Sequence, residues 1–308
     1  MSVDLLCMGE PMLEFNQLPL TAGGAQHYLE GHGGDTSNAA IAAARQGARA
    51  GMITAIGRDM PGDNFMALWA REDVDTTTVL RTDRALTGVY FVTHDASGHQ
   101  FLHYRAGSAA SLYAPANVPE AAIAASRCLY VSGISMGISG TACDAVFAAI
   151  AVAKRHGVAV AFDTNYRPKL WPPARAAAVM HAAMAQADYA MPGVEDVQTL
   201  TGLTDPDAML DFYLRLGCGT VVLKMGAEGA YLATPHQRLR VPAYPVEAVD
   251  ATGAGDTFCG SFLARVLAGD EPEAAARYAV VAAGLKCRGY GAVGPIPRAA
   301  EVMAVVRR

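Results

Sequence analysis

The chain has 308 residues, 52% of them hydrophobic, which suits an α/β protein with a large core and argues against disorder. Its 24 basic and 29 acidic residues give a net charge of −5 with no basic tract, so nucleic acid is not an expected partner, although a local basic pocket for an anionic metabolite remains open. The start, Met1-Ser2-Val3-Asp4-Leu5-Leu6, has no signal-peptide pattern, no long charge-free apolar span follows, and Cys7, Cys128, Cys143, Cys218, Cys259 and Cys287 form no C-x-x-C pair; a soluble cytoplasmic protein without a membrane partner, zinc site or redox motif is expected.

In chain order, Val3 to Met8 reads as a buried strand ending at Gly9. Asp35 and Thr36 open a helix that Gly47 closes, Ala50 to Ile56 reads as a strand, and Gly62 to Glu72 as a helix with Phe65, Leu68 and Trp69 on one face. Thr87 to His94 and His99 to Tyr104 form a hairpin pattern around Asp95-Ala96-Ser97-Gly98. Strands are then expected at Cys128–Ser132, Val158–Asp163, Asp188–Met191 and Thr220–Met225. They alternate with helices at Ser139–His156, Pro173–Gln186, Val194–Thr201 and Pro206–Leu216. Such alternation implies a mostly parallel sheet covered on both faces. The last third reads as helical, over Asp256–Leu267, Glu271–Cys287 and Arg298–Val306.

The densest chemistry lies at Asp250-Ala251-Thr252-Gly253-Ala254-Gly255-Asp256. A glycine-rich turn opening a helix leaves amides unpaired at the positive end of the dipole, which is an anion site. A carboxylate beside a phosphate cradle needs a chemical task, and Asp256 is assigned proton removal from an attacking hydroxyl. In open α/β sheets ligands gather outside the carboxyl ends of strands. Asp163-Thr164-Asn165-Tyr166-Arg167, Lys224-Met225-Gly226-Ala227-Glu228-Gly229 and Gly133 all fall there. In Gly31-His32-Gly33-Gly34-Asp35-Thr36-Ser37-Asn38, Asp35 and Asn38 suit hydroxyl binding, with helix capping the alternative for Asp35 and Thr36. No Gly-Lys dipeptide occurs, so there is no Walker A loop. Thr36 replaces the last glycine of a dinucleotide fingerprint, and no strong strand leads into that segment, so NAD binding is unsupported.

Gly-Gly-Asp-Thr-Ser-Asn near the start and Asp-Ala-Thr-Gly-Ala-Gly-Asp near the end resemble the two signatures of ribokinase-type (phosphofructokinase-B-like) carbohydrate kinases, from about Leu5 onward. The resemblance implies a three-layer α/β/α sandwich with a mostly parallel central sheet and a small β-sheet lid. The lid falls at about 11–34 and 87–112 of a single domain over 1–308. Within the family, Gly9-Glu10-Pro11-Met12-Leu13-Glu14-Phe15, Tyr104-Arg105-Ala106-Gly107-Ser108-Ala109-Ala110 and Asp163-Thr164-Asn165-Tyr166-Arg167-Pro168 with Leu170-Trp171 are most similar to 2-keto-3-deoxygluconate kinases.

That resemblance implies ATP- and Mg²⁺-dependent phosphorylation of a sugar acid at its 6-hydroxyl. Asp256 is then the base, with Gly253, Ala254, Gly255 and Arg167 also catalytic. Gly34, Asp35, Asn38, Tyr90, Tyr104, Arg105, Arg167, Asp250 and Asp256 hold the substrate, and Asn165, Arg167, Lys224, Gly226, Gly229, Gly253, Ala254 and Gly255 the nucleotide. Independently, Arg105 on a lid strand and Arg167 at a strand end suit a planar carboxylate, Arg167 alternatively the phosphates. The family's Asn-x-x-Glu metal element lacks its Asn at Met191-Pro192-Gly193-Val194-Glu195-Asp196, so Glu195 or Asp196 is left to order Mg²⁺. Asp250 is open to a substrate contact or to framing a monovalent cation such as K⁺, and homo-oligomers through the lid are implied. The rivals are a fructose, ribose or nucleoside kinase, a non-catalytic sugar- or nucleotide-binding regulator, and an oxidoreductase.

Overall fold

A computed structural model describes residues 3–18, 24–95 and 98–307. The elements run β1 (Leu5–Met8), β2 (Met12–Gln17), β3 (Tyr28–Gly33), α1 (Asp35–Arg45), β4 (Ala50–Gly57), α2 (Met60–Arg71), β5 (Val79–Thr82), β6 (Gly88–Asp95) and β7 (Gly98–Tyr104). Next come α3 (Glu120–Ala124), β8 (Cys128–Ser132), α4 (Gly133–Gly137), α5 (Gly140–Arg155), β9 (Ala159–Asp163), α6 (Pro173–Met184), β10 (Tyr189–Ala190), α7 (Val194–Thr201) and α8 (Pro206–Leu216). The chain ends through β11 (Thr220–Lys224), β12 (Ala230–Ala233), β13 (Arg238–Val241), α9 (Ala254–Leu267), α10 (Pro272–Lys286) and α11 (Ala299–Val306). Helix starts follow local chemistry: Asp59, Ser139 and Asp205 accept amides of α2, α5 and α8, and prolines stand in the first turns of α2 and α8.

The large sheet has the order β13-β12-β11-β10-β9-β8-β1-β4-β5, parallel from β11 to β5 and antiparallel over β12 and β13. Both faces are buried, and strand residues divide between them with period two. Leu6, Met8, Leu129, Val131, Val160 and Phe162 pack with apolar residues of α5, α6, α7 and α8. Leu5, Cys7, Cys128, Tyr130 and Ala161 pack with those of α1, α2, α9 and α10. A second sheet, β3-β2-β6-β7, pairs β2 parallel with β6 and antiparallel with β3. Among the described residues no helix is long and apolar enough to cross a membrane.

Two points differ from expectation. A strand, β3, does lead into the Gly34 segment, but it belongs to the small mixed sheet and not to the parallel sheet a dinucleotide fold would use. Strands β12 and β13, for which no expectation was given, extend the large sheet before α9 begins, and the helices expected from Asp256 onward follow as α9, α10 and α11. The edge strands β13 and β5 are four residues each and mostly not buried, and β12, though buried, is only four residues long, which is too short for a periodic pattern. Ala96 and Ser97 of the expected hairpin loop, and 19–23 of the expected lid, lie outside the described residues.

Helices α1 and α9 approach each other closely at Gly260. A Cβ there would lie 2.2 Å from Ala39 O and 2.8 Å from Ala42 Cβ. Gly260→Ala should therefore cost about 1–3 kcal/mol by overpacking. Differential scanning fluorimetry should show a drop of roughly 2–4 °C for each kcal/mol in a chain of this size. An unchanged melting temperature would mean that the two helices have room to spare.

Candidate active site

The parallel strands β1, β8, β9 and β11 deliver Gly9 and Glu10, Ser132 and Gly133, Asp163, and Lys224 to one edge of the large sheet. The N-termini of α1 and α9 point to the same edge. Gly253 is the N-cap of α9, with φ of 76°, a left-handed conformation that favours glycine. The amide of Ala254 turns back to Ala251 O at 3.0 Å, so one of the three predicted cradle donors is engaged within the turn. The amides of Gly253 and Gly255 make no hydrogen bond among the described residues and face the end of the helix. A Cβ at Gly255 would lie 3.6 Å from Lys224 Nζ, which puts an ammonium directly beside the cradle.

Asp256, in the first turn of α9, accepts a hydrogen bond from Asn38 Nδ2 at 2.9 Å on its Oδ2. Asn165, with φ of 34°, donates from Nδ2 to Asp35 Oδ2 at 2.9 Å. Asn165 is thus set against the α1 segment carrying the expected hydroxyl-binding residues. Asp35 Oδ1 and Asn38 Oδ1 are buried without a hydrogen-bond partner among the described residues, two acceptors left unsatisfied at the start of α1. Burial, then the Asp35 carboxylate, pushes the Asp256 carboxyl up to about 7. Burial likewise raises Asp35. Two carboxyls close together in a water-poor site resist ionising together.

Asp163, at the end of β9, pairs with Lys224 and accepts from Asn165 N at 3.2 Å. Burial works against the Lys224 ammonium, but Asp163, Cys259 and Asp256 outweigh it and hold its protonation above the ordinary range. Gly226 and Gly229 bracket the short turn after Lys224, closed by Met225 N to Gly229 O at 2.8 Å. Glu195 is exposed. Asp196 turns inward and accepts from Thr164 Oγ1 at 2.7 Å and Tyr166 N at 3.1 Å, and burial raises its carboxyl. Among the described residues no group of three or more His, Cys, Asp or Glu side chains is arranged to hold a metal ion. A divalent ion carried on phosphates needs only one or two carboxylates, and Asp196 fits that demand better than Glu195. An open cavity of about 430 Å³, lined by Tyr244, Pro245, Val246, Glu247, Val249 and Arg288, lies next to the Asp250 turn. Asp250 itself accepts from Thr252 N and Gly291 N, each at 2.8 Å.

The small sheet brings the remaining residues. Gly34 is the N-cap of α1, where β3 ends. Tyr90 donates to the buried Glu14 and lies against Gly33. Arg105 is neither a free surface charge nor an unpaired guanidinium: two of its nitrogens donate to Glu10, whose side chain is fully buried, and Ser108 Oγ donates to the other Glu10 oxygen at 2.6 Å. Tyr104 is 59% exposed, edge-on to Phe91. Arg167 is exposed, donates to Tyr166 O at 2.9 Å, and has no acidic partner among the described residues. Burial, then Arg105, Lys169 and Arg167, holds the His103 imidazole down to about 4.

Sequence reasoning assigned no role to Glu10, Glu14, Asp163 or Lys286. Glu10 follows the β1 strand end directly, so the strand-end rule reaches it. Lys286 falls in line with the buried Ala275, Ala279 and Ala282 of α10, a helical stripe that marks it as buried.

Residues 4–299 match the pfkB family of carbohydrate kinases. A 2-dehydro-3-deoxygluconokinase of Thermoproteus tenax is 35% identical over 309 residues, 97% of this chain and 93% of that protein. A crystal structure of fructokinase with bound ATP from Xylella fastidiosa has a TM-score of 0.91 at 25% identity, covering 100% of this chain and 99% of that one. A fructokinase double mutant from Vibrio cholerae O395, in a form with fructose, ADP and potassium ion bound, has a TM-score of 0.86 at 26% identity and covers 98% of each chain. With its ribokinase-like α/β fold, the chain belongs to the pfkB family of carbohydrate kinases.

Proposed function

We propose that this kinase transfers the γ-phosphoryl group of ATP to the 6-hydroxyl of 2-keto-3-deoxygluconate (2-dehydro-3-deoxygluconate), with Asp256 as general base. The observation that carries the sugar-acid reading is Arg167, exposed beyond the end of β9 with no acidic partner among the described residues, beside Lys169, whose Nζ reaches Phe101 O of β7 at 3.3 Å. A neutral sugar gives such charges nothing to bind, whereas a carboxylate matches a guanidinium in shape and charge. Arg167, lacking an acidic partner among the described residues, is the better-suited partner; Arg105 already serves Glu10. The identity to the Thermoproteus tenax kinase supports the same substrate class.

In this reading the sugar lies between the small sheet and the N-terminus of α1. Its hydroxyls satisfy Asp35 Oδ1 and Asn38 Oδ1, and Gly34, Tyr90 and Tyr104 flank it. Asn38 occupies Asp256 Oδ2, which leaves Oδ1 to take the proton of the 6-hydroxyl. The hydroxyl oxygen attacks the γ-phosphorus, the bond to the β–γ bridging oxygen breaks, and ADP departs with that electron pair. The amides of Gly253 and Gly255, the α9 dipole and Lys224 hold the charge on the transferring oxygens. The cavity beside the Asp250 turn suits the nucleoside, with Asn165, Gly226 and Gly229 along its approach. Mg²⁺ carried with the nucleotide would supply charge neutralisation, and Asp196 is the residue suited to hold its water shell. Closure of the small sheet as a lid would exclude water, the competing acceptor.

The base assignment makes two linked expectations. Asp256→Asn should stay folded and lose roughly 10²–10⁴ in kcat, the scale of a positioned base. In the native enzyme kcat/KM should climb as pH rises through about 7 and then level off, because only the ionised carboxylate accepts a proton. Near-native turnover of Asp256→Asn in a coupled ADP-release assay would remove Asp256 from the mechanism.

The two arginines should separate in their effects. Arg167→Ala should raise KM for the sugar acid by roughly 10- to 100-fold, the loss of a charge-assisted hydrogen bond, and leave melting unchanged. Arg105→Ala should also destabilise the protein by about 3–5 kcal/mol, because Glu10 is left as an uncompensated buried charge. A panel of acid and neutral sugars is the check. Fructose or ribose turning over as well as the acid would discard the carboxylate reading.

A further inference from the structure

Lys286 is the last residue of α10, and its side chain is fully buried. It continues the stripe of Ala275, Ala279 and Ala282, where an apolar side chain would pack without penalty. An ammonium placed there loses its hydration, which is unfavourable unless neighbouring oxygens compensate it. It forms no salt bridge with a carboxylate among the described residues; its Nζ donates instead to the main-chain oxygen of Asp250 at 2.8 Å. Burial draws its protonation below the ordinary range, while Asp250, Cys287, Asp256 and Glu14 all favour the charged form.

The surroundings explain what the charge holds. Val249 N and Asp250 N donate to Cys287 O at 2.8 and 3.1 Å, which ties the chain before the cradle to the end of α10. The Asp250 carboxylate fastens Thr252 N on one oxygen and Gly291 N on the other. A Cβ at Gly253 would lie 3.2 Å from Ala292 O, so the cradle rests on the same segment. A main-chain oxygen that accepts from the ammonium, with the negative end of a helix beside it, is a setting that favours a cation. Here a covalently attached ammonium is already there.

We infer that Lys286 is a built-in cation that holds the 249–253 turn, so that this kinase needs no monovalent ion to form its phosphate cradle. Lys286 touches no reacting atom and is a positioning residue. The option of K⁺ at Asp250 is thereby replaced by a residue of the chain itself. This holds whichever sugar is phosphorylated, and its test uses nucleotide binding and melting, which do not depend on the sugar.

The enzyme is transferred to tetramethylammonium buffer and compared with K⁺, Na⁺ and NH₄⁺ at equal ionic strength. Native protein should keep its melting temperature and its ADP affinity, within about twofold, in every salt. Lys286→Met, which preserves volume, should bind ADP at least about tenfold more weakly in all of them. Lys286→Ala should lose affinity similarly but regain most of it with K⁺, NH₄⁺ or methylammonium, a rescue that lost packing alone would not give. Three results would overturn the inference: a specific gain of melting temperature or ADP affinity in native protein on adding K⁺, native affinity in Lys286→Met, or no rescue of folded Lys286→Ala. If neither variant folds, the salt series on the native enzyme decides alone.

Discussion

The hydrogen bond from Asn38 to Asp256 joins two helix N-termini that are 218 residues apart in sequence. Around it the large sheet sets the geometry: α1 and α9 pack on the same face, and at Gly260 their backbones come into contact. That proximity lets two anion-favouring helix ends share one small volume. It also forces Asp35 and Asp256 into a common low-dielectric region, and their mutual repulsion, added to burial, keeps Asp256 close to neutrality in its proton affinity. A carboxyl on the surface of the same helix would be a far weaker base. The close packing and the chemistry are therefore one constraint seen at two scales.

Charge compensation on the nucleotide side follows the same logic. Asp163 and Lys224 stand at the ends of β9 and β11, separated by β10, and pair across the sheet edge. A buried pair of this kind contributes little net stability. Its value is positional, because Lys224 is fixed beside Gly255 and cannot fold away into solvent. Asp196 meets the same edge through Thr164 and the Tyr166 amide.

Much of this was legible in the sequence because it depends on local rules. Cys128–Ser132, Val194–Thr201 and Pro206–Leu216 were readable to the residue, since apolar period, proline and capping residues agree there. The cradle and its carboxylate were legible because glycines before a helix have few other uses. What could not be read were partnerships between distant segments. Nothing local to Arg105 discloses that Glu10, 95 residues earlier, has claimed its guanidinium. Nothing local to Ala254 discloses that its amide turns to Ala251 and away from the cradle. Strand β3 escaped notice because its residues are mostly exposed and carry no apolar alternation.

The division of labour between the two sheets explains why acceptor identity is harder to read than reaction type. In the proposed mechanism, phosphoryl transfer is organised by backbone amides, helix ends and carboxylates at the edge of the parallel sheet, and those devices leave glycine-rich signatures. Acceptor choice, in the same proposal, rests on side chains of the four-stranded sheet and the loop facing it. There a charge has two possible employers, the ligand or a neighbouring residue, and only geometry tells them apart. Glu10 takes Arg105, which shifts the ligand's share toward Arg167 and Lys169 on the facing loop. Since Lys169 Nζ also reaches Phe101 O at 3.3 Å, that loop and the small sheet are already in contact, so the charges proposed for the ligand stand on a loop held against the sheet and not on the sheet's own paired arginine.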